Sequence, residues 1–216
     1  MKLLHIDSSI QGEGSASREL TREIVARWVA ERPDTEVTYL DLAAQELPHL
    51  SQKSLVRADE LEAARNAEAL EQFLAADAIV IGAPVYNFTI PSQLKAWIDR
   101  ITVAGKTFRY TEKGPQGLAG GKQVIVAVAR GGARAPDASG EFGEPYLRFL
   151  FAFLGIDNVR FVRAEGLAIS PQQRAASLSA AIRLDGLARP VPAMSNAVPW
   201  SGEVRTNGKP RVTLTA

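Results

Sequence analysis

At 216 residues, with 46% hydrophobic and 23% charged residues, the chain is long enough for the core of one ordinary α/β domain and short for two. A formal net charge of +1 gives no sign of a nucleic-acid or membrane partner, and no run approaches the ~18 apolar residues of a membrane span. The absence of cysteine excludes disulfides, thiolate metal sites and cysteine nucleophiles, so any redox chemistry must come from a bound organic cofactor. The opening Met1–Asp7 lacks the apolar core of a secretory signal, and a cytoplasmic location is expected.

In chain order, strand-like runs at Leu3–Ile6, Val37–Leu40, Ala78–Ala83, Val124–Ala129 and Val159–Val162 alternate with helical segments. That alternation implies right-handed βαβ units, hence an α/β fold with a five-stranded parallel sheet and helices on both faces. The first helix is predicted from Ser15–Ser17 to Glu31, with Leu20, Ile24, Val25 and Trp28 at helical spacing. A second covers about Asp59–Ala76, and a third starts near Pro91 with the stripe Leu94, Trp97, Ile98 and Ile101, where Trp97 reads as core. Lys106–Thr111, followed by Gly114, Pro115 and Gly117, predicts a projecting hairpin or loop. A fourth helix is expected over Glu144–Leu154, and a fifth opens at Ser170-Pro171 and fades near Ile182. From Leu184 the prolines Pro190, Pro192, Pro199 and Pro210 break a polar stretch, so residues 1–183 read as the domain and 184–216 as an irregular, peripheral tail.

Three loops at the carboxyl ends of strands carry the chemistry, because ligands of open α/β sheets sit there. After the first strand, Asp7–Arg18 is a Gly/Ser loop feeding a helix, an anion site in which the hydroxyls of Ser9, Ser15 and Ser17 join unpaired helix N–H groups. Arg18 in the first turn argues for a nearby anion, since the helix dipole disfavours a cation there. An ordinary serine N-cap accounts for the same residues. Gly12-x-Gly14-x-x-Ser17 lacks the third glycine of a dinucleotide fingerprint, and the hydroxyls suit a terminal phosphate monoester better than a pyrophosphate. After the third strand, Pro84-Val85-Tyr86-Asn87-Phe88 offers ring faces and hydrogen bonds to a flat heterocycle. After the fourth, Ala129-Arg130-Gly131-Gly132 lets backbone N–H groups approach a ligand, with positive φ expected at the glycines. Elsewhere, Gly120-Gly121-Lys122 precedes a strand and is no P-loop, there is no Gly-x-Ser-x-Gly elbow, and two histidines, His5 and His49, do not make a metal centre.

Together these loops resemble the FMN-dependent NADH:quinone oxidoreductases and azoreductases of the flavodoxin-like class. The resemblance rests on the Ser-Ser and Ser-x-Ser of the first loop, on Ala83–Pro91 with Gln93-Leu94-Lys95, on Thr107–Leu118, on Arg130-Gly131-Gly132 and on Pro145-Tyr146-Leu147. It covers about residues 1–183. It implies FMN held at its phosphate by Ser9, Ser15, Ala16 and Ser17, along its ring by Pro84, Val85, Tyr86, Asn87 and Phe88, and at its polar edge by Ala129, Arg130, Gly131 and Gly132. It also implies a homodimer in which Tyr110 and Phe153 line the substrate pocket. Expected donors are NADH or NADPH, and expected acceptors are quinones and aromatic azo compounds, in ping-pong order with no catalytic side chain and no metal. Two departures stand out: the stretch after Leu50 is short for the family, and Arg134 stands where a histidine is familiar. The rival readings are a flavodoxin-type electron carrier without its own substrate, and an NAD(P)-binding enzyme in which Asp41 takes the ribose hydroxyls.

Overall fold

The computed structural model describes residues 1–55, 59–133 and 140–183, so Arg134 and the tail from Leu184 lie outside the described residues. Strand β1 (Lys2–Asp7) leads to helix α1 (Ala16–Glu31), β2 (Glu36–Asp41), the single turn α2 (Gln52–Leu55), α3 (Glu60–Ala75) and β3 (Ala78–Pro84). Helix α4 (Ser92–Ile101), the hairpin β4 (Phe108–Thr111) and β5 (Gly114–Gly117), then β6 (Gln123–Ala129), α5 (Gly143–Phe153), β7 (Asn158–Ala164) and α6 (Pro171–Ile182) follow. The main sheet runs β2-β1-β3-β6-β7 with every pair parallel, the flavodoxin-like order, whose topological switch point falls between β1 and β3.

The two faces follow from the period-two alternation of the strands. Leu4, Ile6, Ile79, Ile81 and Val126 point to a core completed by Phe73, Leu94, Trp97, Leu147 and Phe151 of α3, α4 and α5. Leu3, Val80, Ile125 and Val162 point to a second core filled by Leu20, Ile24 and Trp28 of α1 and Leu178 of α6. Trp97 is fully buried with its ring edge-on to Phe73, as a core residue should be. The expected helix starts sit on capping side chains: Asp59 accepts from the Glu62 N–H at 2.9 Å, and Ser170 from the Gln173 N–H at 3.1 Å. The one-turn α2 and a 3₁₀ turn at Gly12–Gly14 were not predicted, because so short a segment has no periodicity to read.

The expected projection at 106–117 is a two-stranded antiparallel hairpin seated on the end of α5. A Cβ on Gly117 would lie 2.1 Å from the Gly155 nitrogen, so backbone touches backbone there and only glycine fits. The hairpin is thereby fixed against the C-terminal end of α5, just before β7 begins.

Candidate functional site

The loops after β1, β3 and β6 converge because their strands are adjacent and parallel. Val85 N–H donates to the Ala129 carbonyl at 2.8 Å, tying the second loop to the third. Of the adjacent serines, Ser8 is structural: its hydroxyl donates at 2.6 Å to the Gly82 carbonyl on β3. Ser9 is turned to the crevice, where its hydroxyl shares a 3.1 Å hydrogen bond with the Tyr86 phenol, which also accepts from the Ile10 N–H at 3.3 Å. Ser15 caps α1, accepting from the Arg18 N–H at 3.4 Å, and its hydroxyl lies 3.1 Å from that of Ser17. Ser9, Ser15, Ala16 and Ser17 are all buried. The helix N-terminus therefore presents hydroxyl donors bonded mainly to one another, an arrangement suited to an oxyanion.

Arg18 has a different partner from the one expected. Its guanidinium grips Asp41 in a two-pronged pair at 2.7 and 2.8 Å and lies 3.8 Å from Asp7, so protein carboxylates supply the anion that its position demands. The hydrogen-bonded Asp41 carboxylate pushes Arg18 up, and Arg18 holds Asp41 below the usual carboxylate range. Asp41, also accepting from the Ala43 and Ala44 N–H groups, is thus committed, which removes the ribose-binding role. Burial pushes the Asp7 carboxyl up, but hydrogen bonding and charge from His5, with Thr21 and Arg18, outweigh it and leave Asp7 lowered. Burial together with Asp7 and Asp41 pushes the Tyr39 phenol up to about 12, and it donates to Asp7 at 3.1 Å. Among the described residues no cluster of three His, Cys, Asp or Glu could hold a metal.

After β3, Tyr86–Thr89 forms a two-residue hairpin turn closed by Tyr86 N–H to Thr89 O at 3.0 Å and Thr89 N–H to Tyr86 O at 3.1 Å. Its central residues, Asn87 (φ 47°) and Phe88 (φ 72°), both occupy the left-handed region, the pattern of a type I′ turn. Asparagine is at home there; phenylalanine is not, and its strained backbone holds a ring that is 66% exposed. The third loop departs from expectation: neither Gly131 nor Gly132 has positive φ. The requirement at Gly131 is space, since a Cβ would come within 3.2 Å of the Ala168 side chain, and the carbonyls of Arg130, Gly131 and Gly132 accept from Leu167, Ala168 and Gly166.

A cavity of about 870 Å³ opens against these loops, lined by Val85, Tyr86 and Asn87 and by residues the sequence reading did not assign to the site: Ile10, Thr89 to Pro91, Gln93 and Tyr146. Thr89 to Pro91, Gln93 and Tyr146 carried a signal only as part of the motifs on which the family resemblance rests, and Ile10 only by its place in the serine loop. Burial, with the Asp99 charge, pushes the Tyr146 phenol up to about 12, so it stays neutral at ordinary pH. Tyr110 and Phe153 meet elsewhere: Phe108 stacks edge-on to Tyr110 at 5.4 Å and packs on Phe153 at 4.7 Å, and neither Tyr110 nor Phe153 lines this cavity within one chain.

A parallel sheet in the order 2-1-3-4-5, with a serine-rich loop after its first strand, agrees with the match of residues 1–184 to the flavodoxin-like fold family. This chain belongs to that family. Within the flavodoxin-like fold, the chain is 58% identical over 182 residues to the FMN-dependent NADH:quinone oxidoreductase of Xanthomonas oryzae pv. oryzae, covering 84% of this chain and 93% of that protein. Among solved structures, azoreductase from Bacillus anthracis str. Sterne superposes with a TM-score of 0.76 at 32% identity, over 84% of this chain and 95% of that one. The FMN-dependent NADH-azoreductase from Bacillus anthracis str. Ames Ancestor, solved in complex with FMN, gives a TM-score of 0.74 at 28% identity, over 86% and 99%.

Proposed function

We propose that this protein is an FMN-dependent NADH:quinone oxidoreductase that also cleaves aromatic azo compounds reductively, acting as a homodimer in the cytoplasm. The observation that carries the reading is the meeting of buried serine hydroxyls at the N-terminus of α1 with the strained aromatic turn at Asn87 and Phe88, bonded through Ser9 and Tyr86. A relative named for this activity at 58% identity supports it.

The residues fit FMN. Ser9, Ser15 and Ser17, with the N–H groups of the first turn of α1, suit a phosphate monoester; Pro84–Phe88 would border the ring, and Ala129–Gly132 its polar edge. When bound, the flavin supplies the hard chemistry, taking a hydride from NADH or NADPH and passing two electrons to the acceptor. The chain binds, orients and excludes water. Tyr86 locks the ring loop to the phosphate loop, and Phe88 offers an aromatic face to a flat acceptor. No side chain is assigned as acid or base.

Tyr110 and Phe153 are proposed to line the acceptor pocket across the dimer. Tyr110 is 74% exposed, and with Phe88, Phe142 and Phe149 also exposed, a single chain leaves a large aromatic surface that a second copy would cover. The alternative, an electron carrier, would use the cavity beside the ring loop for the same flavin; what favours the enzyme is the 58% identity to a relative named as an oxidoreductase.

The purified protein should be yellow, carry about one FMN per chain and reduce a menadione-type quinone with NADH, giving parallel double-reciprocal plots. A colourless protein with no affinity for FMN would refute the assignment, and flavin retention without quinone turnover would favour the carrier.

A further inference from the structure

The charges under the phosphate loop are the wrong way round for simple electrostatics. Arg18 is clamped by the Asp41 carboxylate at 2.7 Å and has the Asp7 carboxylate 3.8 Å away, Asp7 being lowered, against its burial, chiefly by His5, so the guanidinium is already answered by protein carboxylates and is no surplus cation for a phosphate. The carboxylate of Asp7 is also close: a Cβ placed on Gly82 would be 2.7 Å from Asp7 Oδ1 and 3.6 Å from Ser17 Cβ. Arg18 itself is 12% exposed, and four of its five N–H donors are committed. Nη1 donates to Asp41 Oδ2 at 2.7 Å and to the Tyr39 phenol at 3.0 Å, while Nη2 donates to Asp41 Oδ1 at 2.8 Å and to the Ser9 carbonyl at 2.8 Å; Nε is buried without a partner.

The last of those bonds ties the network to the site. Ser9 is gripped twice, its carbonyl by Arg18 and its hydroxyl by Tyr86. Arg18 also supplies the N–H that Ser15 caps, so one residue fixes both ends of the loop between Ser9 and Ser15, and Asp41 at the end of β2 fixes that residue. We propose that Arg18, clamped by Asp41, is a positioning residue for the cofactor's phosphate monoester: it sets the separation of Ser9 from the Ser15–Ser17 hydroxyls and does not act as the phosphate's counter-charge. The proposal deepens the FMN reading and rests on it. Its chemical consequence is selectivity, because the clamp acts on a phosphorylated flavin and leaves an unphosphorylated one untouched.

The sign of one substitution separates the two roles. Removing a carboxylate beside a dianion tightens binding if only charge matters. If Asp41 acts by holding Arg18, its removal loosens binding. The test titrates FMN and riboflavin, by quenching of flavin fluorescence, into flavin-free wild type, Asp41→Asn and Arg18→Lys. The expected result is that both variants bind FMN at least about tenfold more weakly, the scale of one charge-assisted hydrogen bond, with riboflavin affinity within about twofold of wild type. Arg18→Lys keeps the charge and loses the fork, so FMN affinity equal to wild type would overturn the proposal. So would tighter FMN binding by Asp41→Asn, or an equal loss of FMN and riboflavin, which would mark a general structural role. Failure of wild type to bind FMN would instead defeat the functional reading itself, before the variants are compared.

Discussion

Replacing Phe88 with glycine should leave the protein as stable or slightly more stable while making it a poorer enzyme. A bulky residue in the left-handed region costs about 1–2 kcal/mol. At φ 72° Phe88 carries that strain, and the Phe142 N–H bond to its carbonyl at 3.0 Å and the turn's own two bonds are all backbone, so glycine keeps them. Glycine returns roughly 0.5–1 kcal/mol to the unfolded chain as entropy. The ring is two-thirds exposed, so little burial is lost. The balance is about 0 to 1 kcal/mol in favour of glycine, a rise of up to ~4 °C in Tm for a domain of this size. Alanine isolates the strain: it removes the same ring but keeps a Cβ, and Phe88→Ala should melt below Phe88→Gly. Both should lose roughly two- to tenfold in kcat/KM for a quinone, the value of one aromatic contact. Thermal unfolding of the flavin-free proteins and steady-state turnover of the loaded ones measure the two effects separately. Equal melting of the two variants would refute the strain, and unchanged kcat/KM in both would refute the role of the ring.

Ser17→Ala loses the hydrogen bond to the Ser15 hydroxyl and should cost the flavin-free protein about 1 kcal/mol, while weakening FMN by about 1–3 kcal/mol in a fluorescence titration; unchanged affinity would remove Ser17 from the phosphate site. Gly117→Ala should force the hairpin off the end of α5, where a Cβ would meet backbone at 2.1 Å, lowering Tm and raising the acceptor KM together; a variant of wild-type stability would contradict the close packing. Burial raises the Glu144 carboxyl, but hydrogen bonds from Arg163 and Arg148 lower it below its ordinary 4.5. Its stabilising effect is therefore fully present above that value and lost as pH falls through the lower folded value, so unfolding free energy measured from about pH 5 downward should fall less steeply in Glu144→Gln than in wild type. Ending the chain at Arg183 should retain solubility and FMN, because among the described residues both cores are built from elements that end by Ile182; loss of flavin would show that residues 184–216 contribute to the site.

Much of the fold was legible because each element carries its own local signal. The five β-branched runs are the five strands of the sheet, buried in β1, β3 and β6 and exposed along the edge strand β2; Ser15, Asp59 and Ser170 cap the helices their positions announced, and the stripe Leu94, Trp97, Ile98 and Ile101 lies in the core. The serine, aromatic and glycine loops stood out in the sequence by their composition at strand ends, and the structure brings them together. The partners of those residues were not legible. Arg18 in a first helical turn demanded an anion, and that requirement is local, but whether a ligand or Asp41 supplied it depended on β2 lying beside β1, 23 residues further along the chain. Gly131 looked like a residue chosen for positive φ, and only the approach of Ala168 revealed that it is chosen for room. Phe88 gave no sign of strain, because φ at a turn is imposed by the two carbonyl–amide bonds that close it. Sequence by itself determined the elements and the strand-end loops at which a ligand is proposed to sit, since these follow from propensity and periodicity along the chain. Tertiary structure alone decided which serine faces the crevice, which charge answers Arg18 and where Tyr110 stands relative to Phe153, since each of these is a contact between segments distant in sequence.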